Sequence, residues 1–195
     1  MQRFKESPSQ TAGPYVHIGC TPNFCGIEGV FPQDLGSRMI TGSVKGQPMT
    51  LRGAVFDGAG TALRDAMVEI WQADAAGRYA GQGGDPAFTG WGRSPGHMDT
   101  GEFVFETVKP GRVAWPDGRL QAPHVSLWIV ARGINLGLHT RVYFADESAA
   151  NAEDPILTRI EHQARIQTLL ALPEPGGYRF DIHLQGARET IFFDI

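Results

Sequence analysis

The chain has 195 residues, of which 42% are hydrophobic and 19% are charged, and its formal net charge is −4. This length suits one domain with a substantial core, and an acidic chain without a basic stripe is not typical of nucleic-acid-binding proteins. No apolar run approaches the ~20 residues of a membrane span and the first residues lack the apolar segment of a signal peptide, so we expect a cytoplasmic protein.

The first 49 residues have no clear hydrophobic period. From residue 18 onward they are rich in glycine, proline, serine and threonine, which predicts an irregular N-terminal arm with loops. A segment of this length usually wraps a partner or lines a site, so we expect residues 1–49 to contact a partner subunit. Cys20 and Cys25 are the only cysteines; we interpret them as reduced thiols, with a disulfide or half of a metal site as the alternatives.

Residues 50–195 consist of short apolar runs separated by glycine and proline, which is typical of an all-β domain. Only 151–172 has helical spacing, and Asp154 followed by Pro155 is a favourable helix start. We therefore predict a β-sandwich with one or two short helices near 151–172, the whole chain forming a single structural domain. The predicted strands are 50–57, 66–72, 102–108, 124–131, 141–144, 178–184 and 190–193.

Several motifs for chemistry are missing from the sequence: the phosphate-binding loop, the dinucleotide fingerprint, Gly-x-Ser-x-Gly and His-Glu-x-x-His. A different feature stands in the predicted strand that begins at His124. Residues i and i+2 of a strand point to the same face, so His-x-His would offer two imidazoles to one metal ion. Here the second position is Ser126, and only half of such a pair exists.

Four motifs occur in a characteristic order: SQTAGPY at 9–15, VEIWQADAAGRY at 68–79, TVKPG at 107–111 and PHVS at 123–126. Together they resemble the intradiol ring-cleaving dioxygenases, and the resemblance covers nearly the whole chain. It implies a β-sandwich whose loops enclose a non-haem ferric site held by two tyrosines and two histidines. The four ligand positions fall at Tyr79, Val113, His124 and Ser126, and the arginine that precedes the histidine pair in catalytic chains falls at Gln121.

Two of the four implied ligands are therefore missing. Affinity for a metal ion needs a complete and oriented set of ligands, so we expect no metal in this chain and interpret Tyr79 and His124 as packed side chains. The resemblance implies a non-iron-binding alpha subunit without catalytic residues of its own. It further implies that ferric iron is bound by a partner beta subunit, and that the substrate is a small aromatic acid, protocatechuate.

The resemblance also implies that the N-terminal segment of the alpha chain walls the substrate pocket. By position, Thr11, Gly13, Pro14 and Tyr15 take this role, with Arg132 nearby. Gly13-Pro14 offers a stiff backbone with little side chain, which allows close approach to an aromatic ring. Tyr15 could add a hydroxyl at the pocket mouth. Arg132 could attract a substrate carboxylate, or it could form a salt bridge at the surface or interface.

Two other functions remain open from the sequence. The chain could be a self-sufficient, homo-oligomeric catechol dioxygenase whose iron ligands lie at other positions. Alternatively, the pattern of residues 51–71 also suits a transthyretin-like β-sandwich that serves as a binding module.

Overall fold

A computed structural model describes residues 11–135 and 137–194, with the backbone but not the side chain of Pro14. The helices are α1 (Pro14–Cys20) and α2 (Ser148–Glu153), followed by 3₁₀ helices at Leu157–Arg159 and Gln163–Leu169. The strands are β1 (Pro48–Phe56), β2 (Met67–Gln72), β3 (Trp91–Pro95), β4 (Glu102–Val108), β5 (His124–Val130), β6 (Leu138–Phe144), β7 (Leu170–Glu174), β8 (Gly177–Arg179) and β9 (Ile182–His183).

The strands form one strongly folded sheet in the order β3-β2-β5-β6-β7-β8-β1-β4, with β9 beside β1. Most neighbours are antiparallel, but β7 runs parallel to β6, and both β8 and β9 run parallel to β1. The two strands at the ends of this order, β3 and β4, lie side by side. The backbone N–H of Val104 in β4 donates a hydrogen bond to Ser94 Oγ in β3 at 3.0 Å. The sheet is therefore nearly closed, and the all-β prediction is confirmed.

The main hydrophobic core lies inside the folded sheet, between strands that face each other across it. Alternate residues of β4 and β5 point inward, so Phe103 and Phe105 share one apolar cluster with Leu127, Ile129 and Leu51 of β1. Because the side-chain period of a strand is two, a slip of one residue would expose this whole set. The alternation therefore fixes the register of the strands that carry the site.

A second, smaller cluster forms beneath α2 and the 3₁₀ helices around Tyr143. The buried carboxylate of Asp154 organises it by accepting hydrogen bonds from the backbone N–H groups of Ala122, Ile156 and Leu157 at 2.8–2.9 Å. The predicted helical turns near 151–172 are confirmed. However, no α-helix begins at Asp154: it is the C-cap of α2, and its carboxylate accepts from the N–H groups that lead into the first 3₁₀ helix.

Several details differ from the sequence prediction. The arm contains α1, and β3 was not predicted at all. The predicted strand 178–184 is divided into β8 and β9, and the predicted strand 190–193 is reduced to an isolated bridge between Phe193 and His139. Among the described residues no helix has the length and apolar character needed to cross a membrane.

Candidate functional site

His124 is a core side chain at the start of β5. It is only 2% exposed, and its Nδ1 lies 2.8 Å from the carbonyl oxygen of Ala122, to which it donates. Burial lowers the pKa of His124 to about 4, and the positive charge of Arg141 acts in the same direction. The imidazole is therefore neutral near pH 7, with Nε2 as its free ring nitrogen. Metal-bound histidines also donate to a carbonyl through the second nitrogen, so His124 keeps the orientation of a ligand.

Tyr79 lies in the loop that follows β2. Its ring stacks on Trp71 with 6.0 Å between the centroids and 4° between the planes. Burial raises the pKa of the Tyr79 phenol, although the charge of Arg141 opposes this effect. The phenol is therefore protonated near pH 7 and acts here as a packed aromatic side chain.

The other two implied ligand positions offer no comparable donor. Val113 is a buried aliphatic side chain, and only its backbone takes part in polar contacts, since its carbonyl oxygen accepts from the N–H of Gln121 at 2.8 Å. Ser126 has a short hydroxyl and pairs directly with Arg141 across β5 and β6. No group of three or more His, Cys, Asp or Glu side chains within 11–135 and 137–194 is arranged to hold a metal ion.

Arg141 places a positive charge among these groups. Its Nη1 donates to Gln121 Oε1 at 2.8 Å, and its charge acts on both His124 and Tyr79. A guanidinium here disfavours a metal cation through charge repulsion and offers no lone pair. The residues of this region therefore do not fit ferric iron. No role was predicted for Arg141, because only the register of β5 and β6 brings it opposite Ser126.

The N-terminal arm is attached to the turn between β5 and β6. The backbone N–H of Gly133 donates to Thr11 Oγ1 at 2.9 Å, and the Thr11 hydroxyl lies 3.4 Å from the carbonyl oxygen of Ala131. Arg132 lies between these two contacts. Thr11 and Arg132, which were predicted to lie near each other, are far apart in the sequence, and the fold brings them together at this turn.

The remaining predicted pocket residues lie at the start of α1. A Cβ added at Gly13 would meet no described atom within 4 Å, and Tyr15 is 85% exposed. The backbone of Pro14 begins α1, while its side chain lies outside what the structure describes. Within the described part of the chain, neither Gly13 nor Tyr15 is needed for packing, which leaves both available to a ligand or a partner.

A cavity of about 480 Å³ opens beside the turn that holds Arg132. It is also lined by His17 of α1 and by Arg64 and Asp65 of the loop between β1 and β2. The sequence pattern had not assigned a role to His17, Arg64 or Asp65. A larger depression of about 680 Å³, next to β7 and β8, contains none of the predicted site residues.

Comparisons with known proteins identify the relatives of this chain. A dioxygenase family model matches residues 21–186. The chain is 44% identical to the protocatechuate 3,4-dioxygenase alpha chain of Pseudomonas putida, covering 97% of this chain and 96% of that one. It is 32% identical to the corresponding beta chain of Burkholderia cepacia, over 76% of this chain and 69% of that one. A solved dioxygenase domain from Streptomyces sp. SirexAA-E superposes with a TM-score of 0.55 at 26% identity, covering 77% and 88% of the two chains.

Proposed function

Because the chain belongs to the intradiol ring-cleaving dioxygenase family, we propose that it is the non-iron-binding alpha subunit of a protocatechuate 3,4-dioxygenase. The complete enzyme would cleave protocatechuate with molecular oxygen to 3-carboxy-cis,cis-muconate. The family depends on iron, and in this proposal the ferric ion is held by a partner beta subunit. The similarity to an alpha chain over nearly the full length supports this assignment and disfavours a transthyretin-like binding module.

One observation carries the proposal. Of the four positions implied for iron ligands, Val113 and Ser126 have no suitable donor, and Arg141 places a guanidinium among the remaining groups. Two ligands beside a fixed positive charge cannot replace the hydration of a ferric ion. The reaction therefore belongs to another subunit, and the contribution of this chain is to bind and orient the substrate.

The groups that would perform this task lie on the arm and on the turn after β5. The Gly13 backbone provides a slim wall against which an aromatic ring can pack, with Pro14 following it in the chain. The exposed Tyr15 offers a hydroxyl, and Thr11 holds the arm against the turn. Arg132 supplies a positive charge that favours a carboxylated catechol over an uncharged one.

The absence of a disulfide between the two cysteines supports a cytoplasmic location for the assembly. Cys20 and Cys25 are free, half-buried thiols. Free thiols persist in a reducing compartment, whereas secreted proteins tend to form disulfides.

The test is to express the chain alone and together with the beta chain of the same source, and to measure iron content and oxygen uptake with protocatechuate. We expect no stoichiometric iron and no oxygen uptake for the chain alone, and one iron per alpha–beta pair for the complex. A chain that alone carries one iron, with the colour of a tyrosinate–iron complex, would be a self-sufficient dioxygenase and would end the proposal.

A matched variant sharpens this experiment. Tyr79→Phe keeps the ring that stacks on Trp71 and removes the only phenol at the implied ligand positions. We expect the complex with Tyr79→Phe to retain its full iron content, because the iron is held elsewhere. Loss of iron from this variant would identify Tyr79 as a ligand.

A further inference from the structure

The cavity of about 480 Å³ is built from three separate parts of the chain. His17 comes from α1, Asp65 from the loop before β2, and Arg132 from the turn after β5. The arm and the turn are already joined through Thr11, as described above. Asp65 is the one lining residue with a carboxylate, and it is therefore the group that attracts the positively charged side chains of this cavity.

Asp65 forms an ion pair with Arg132. The distance from Arg132 Nη2 to Asp65 Oδ2 is 2.7 Å, although the pair is not aligned as a hydrogen bond. The Asp65 side chain is 23% exposed, whereas that of Arg132 is 69% exposed. A largely covered carboxylate has little freedom to move, whereas an exposed arginine without a partner samples many rotamers. The pair therefore restricts where the Arg132 guanidinium can lie.

Asp65 also acts on the arm. His17 is 8% exposed, and its Nε2 has no hydrogen-bond partner among the described residues. His17 and Asp65 line the same cavity. Burial lowers the pKa of His17, and the negative charge of Asp65 opposes that shift. Asp65 thus lies between α1, which carries Tyr15, and the turn that carries Arg132.

The ion pair does not remove the attraction of this region for an anion. Arg64 lines the same cavity and makes no ion pair with the described residues. With the imidazole of His17 neutral, the two guanidinium groups outnumber the single carboxylate of Asp65. One positive charge remains in excess, and Arg132 is held in place without being neutralised overall.

We propose that Asp65 is a positioning residue that holds Arg132 toward the carboxylate of the bound substrate and keeps it in register with the arm. This inference rests on the proposed function, because it requires Arg132 to face the substrate. Asp65 does not touch the reacting atoms; its effect on substrate binding passes through Arg132. Preorganising a charged side chain in this way improves binding without adding a contact.

The test uses the assembled enzyme with Asp65→Asn, which keeps the shape of the side chain and removes its charge. We expect KM for protocatechuate to rise about three- to tenfold, with kcat and iron content unchanged. Inhibition by a catechol without a carboxylate should not change, because Arg132 does not act on it. An equal loss for both ligands would mean that the arm as a whole had moved, and would overturn the proposal.

The double variant Asp65→Asn/Arg132→Ala tests whether the effect passes through Arg132. We expect KM to match that of Arg132→Ala alone, since removing Asp65 has no further consequence once the guanidinium is gone. Additive effects would overturn the role of Asp65 while leaving the proposed function intact. If Arg132→Ala itself leaves KM unchanged, the substrate role of Arg132 fails, and the inference about Asp65 fails with it.

The chain offers a matched control at another exposed ion pair. Asp117 Oδ2 lies 2.7 Å from Arg119 Nη2, and both side chains are about half exposed. Asp117→Asn removes a carboxylate of the same kind away from the cavity. We expect kinetics identical to those of the unmodified enzyme, and a similar rise in KM would show that the effect of Asp65→Asn is not local.

Discussion

The imidazole of His124 is nearly inaccessible to water, and its low pKa makes the stability of the fold depend on pH. Above pH 6.5 the imidazole is neutral in both the folded and the unfolded chain. Between pH 6.5 and about 4 only the unfolded chain binds the proton, because the folded pKa is depressed. The free energy of unfolding therefore falls as the pH falls through this window. The lowered pKa values of His17 and His183 act in the same direction.

We expect His124 to contribute a loss of about 2 kcal/mol in the free energy of unfolding between pH 7 and pH 5. His124→Gln should reduce this pH dependence by that amount, as measured by urea denaturation at the two pH values. His162→Gln is the control, because His162 is exposed, and it should keep the full dependence. An unchanged slope in His124→Gln would show that the buried imidazole is not responsible.

At the scale of single residues, part of the candidate site could be predicted from the sequence. The motif positions identified Val113 and Ser126 as unsuitable ligands without any structure, since side-chain chemistry alone decides this. Arg141 and Asp65 were not found, because their partners lie far away along the chain, and only the folded register and the loop geometry bring them into contact.

At the scale of secondary structure, regular alternation was a reliable guide. The strand predicted at 102–108 has the bounds of β4, because Phe103 and Phe105 face the core at alternate positions. In contrast, β3 contains Gly92, Ser94 and Pro95, which weaken any strand pattern, and it forms through antiparallel pairing with β2. Similarly, Leu170 continued a helical spacing in the sequence, yet it begins β7 because it pairs with β6. In both β3 and β7, pairing with a strand that is distant in the sequence determines the secondary structure.

The change of partner along β1 provides a prediction at this scale. β1 pairs first with β8 and then with β9, and Gly53 lies at the transition. A Cβ at Gly53 would collide with the carbonyl oxygen of Phe180, a backbone atom that cannot rotate away. We expect Gly53→Ala to lower the free energy of unfolding by roughly 1–3 kcal/mol, seen as a lower denaturant midpoint.

Gly19→Ala is the matched control for this substitution, because a Cβ at Gly19 in α1 would meet no atom of the described residues within 4 Å. Its effect should be at most about 1 kcal/mol and in the stabilising direction, since alanine favours a helix. Equal midpoints for the two variants would mean that the close approach of β1 to Phe180 is not needed for stability.

At the scale of the whole molecule, the exposed apolar surface is concentrated on the arm. Half of the ten exposed large hydrophobic side chains in the described part of the chain lie within 11–49: Tyr15, Val16, Ile27, Val30 and Leu35. Clustered exposed apolar side chains usually mark an interaction surface. With a charged fraction of only 19%, the chain fits a subunit whose surface is partly covered by another chain. This supports the prediction that residues 1–49 contact the partner subunit.

Tyr15 is the most exposed of these side chains, and its variants test whether it lines the substrate pocket or contacts the partner subunit. In the assembled enzyme, we expect Tyr15→Ala to raise KM for protocatechuate about fivefold or more, with iron content unchanged, because a hydrogen bond and a packing surface at the pocket mouth are both lost. Tyr15→Phe keeps the ring and removes only the hydroxyl, so its KM should rise less. Steady-state kinetics and size-exclusion chromatography separate the two roles. If both variants keep the original KM while Tyr15→Ala weakens the assembly, Tyr15 binds the partner subunit and not the substrate.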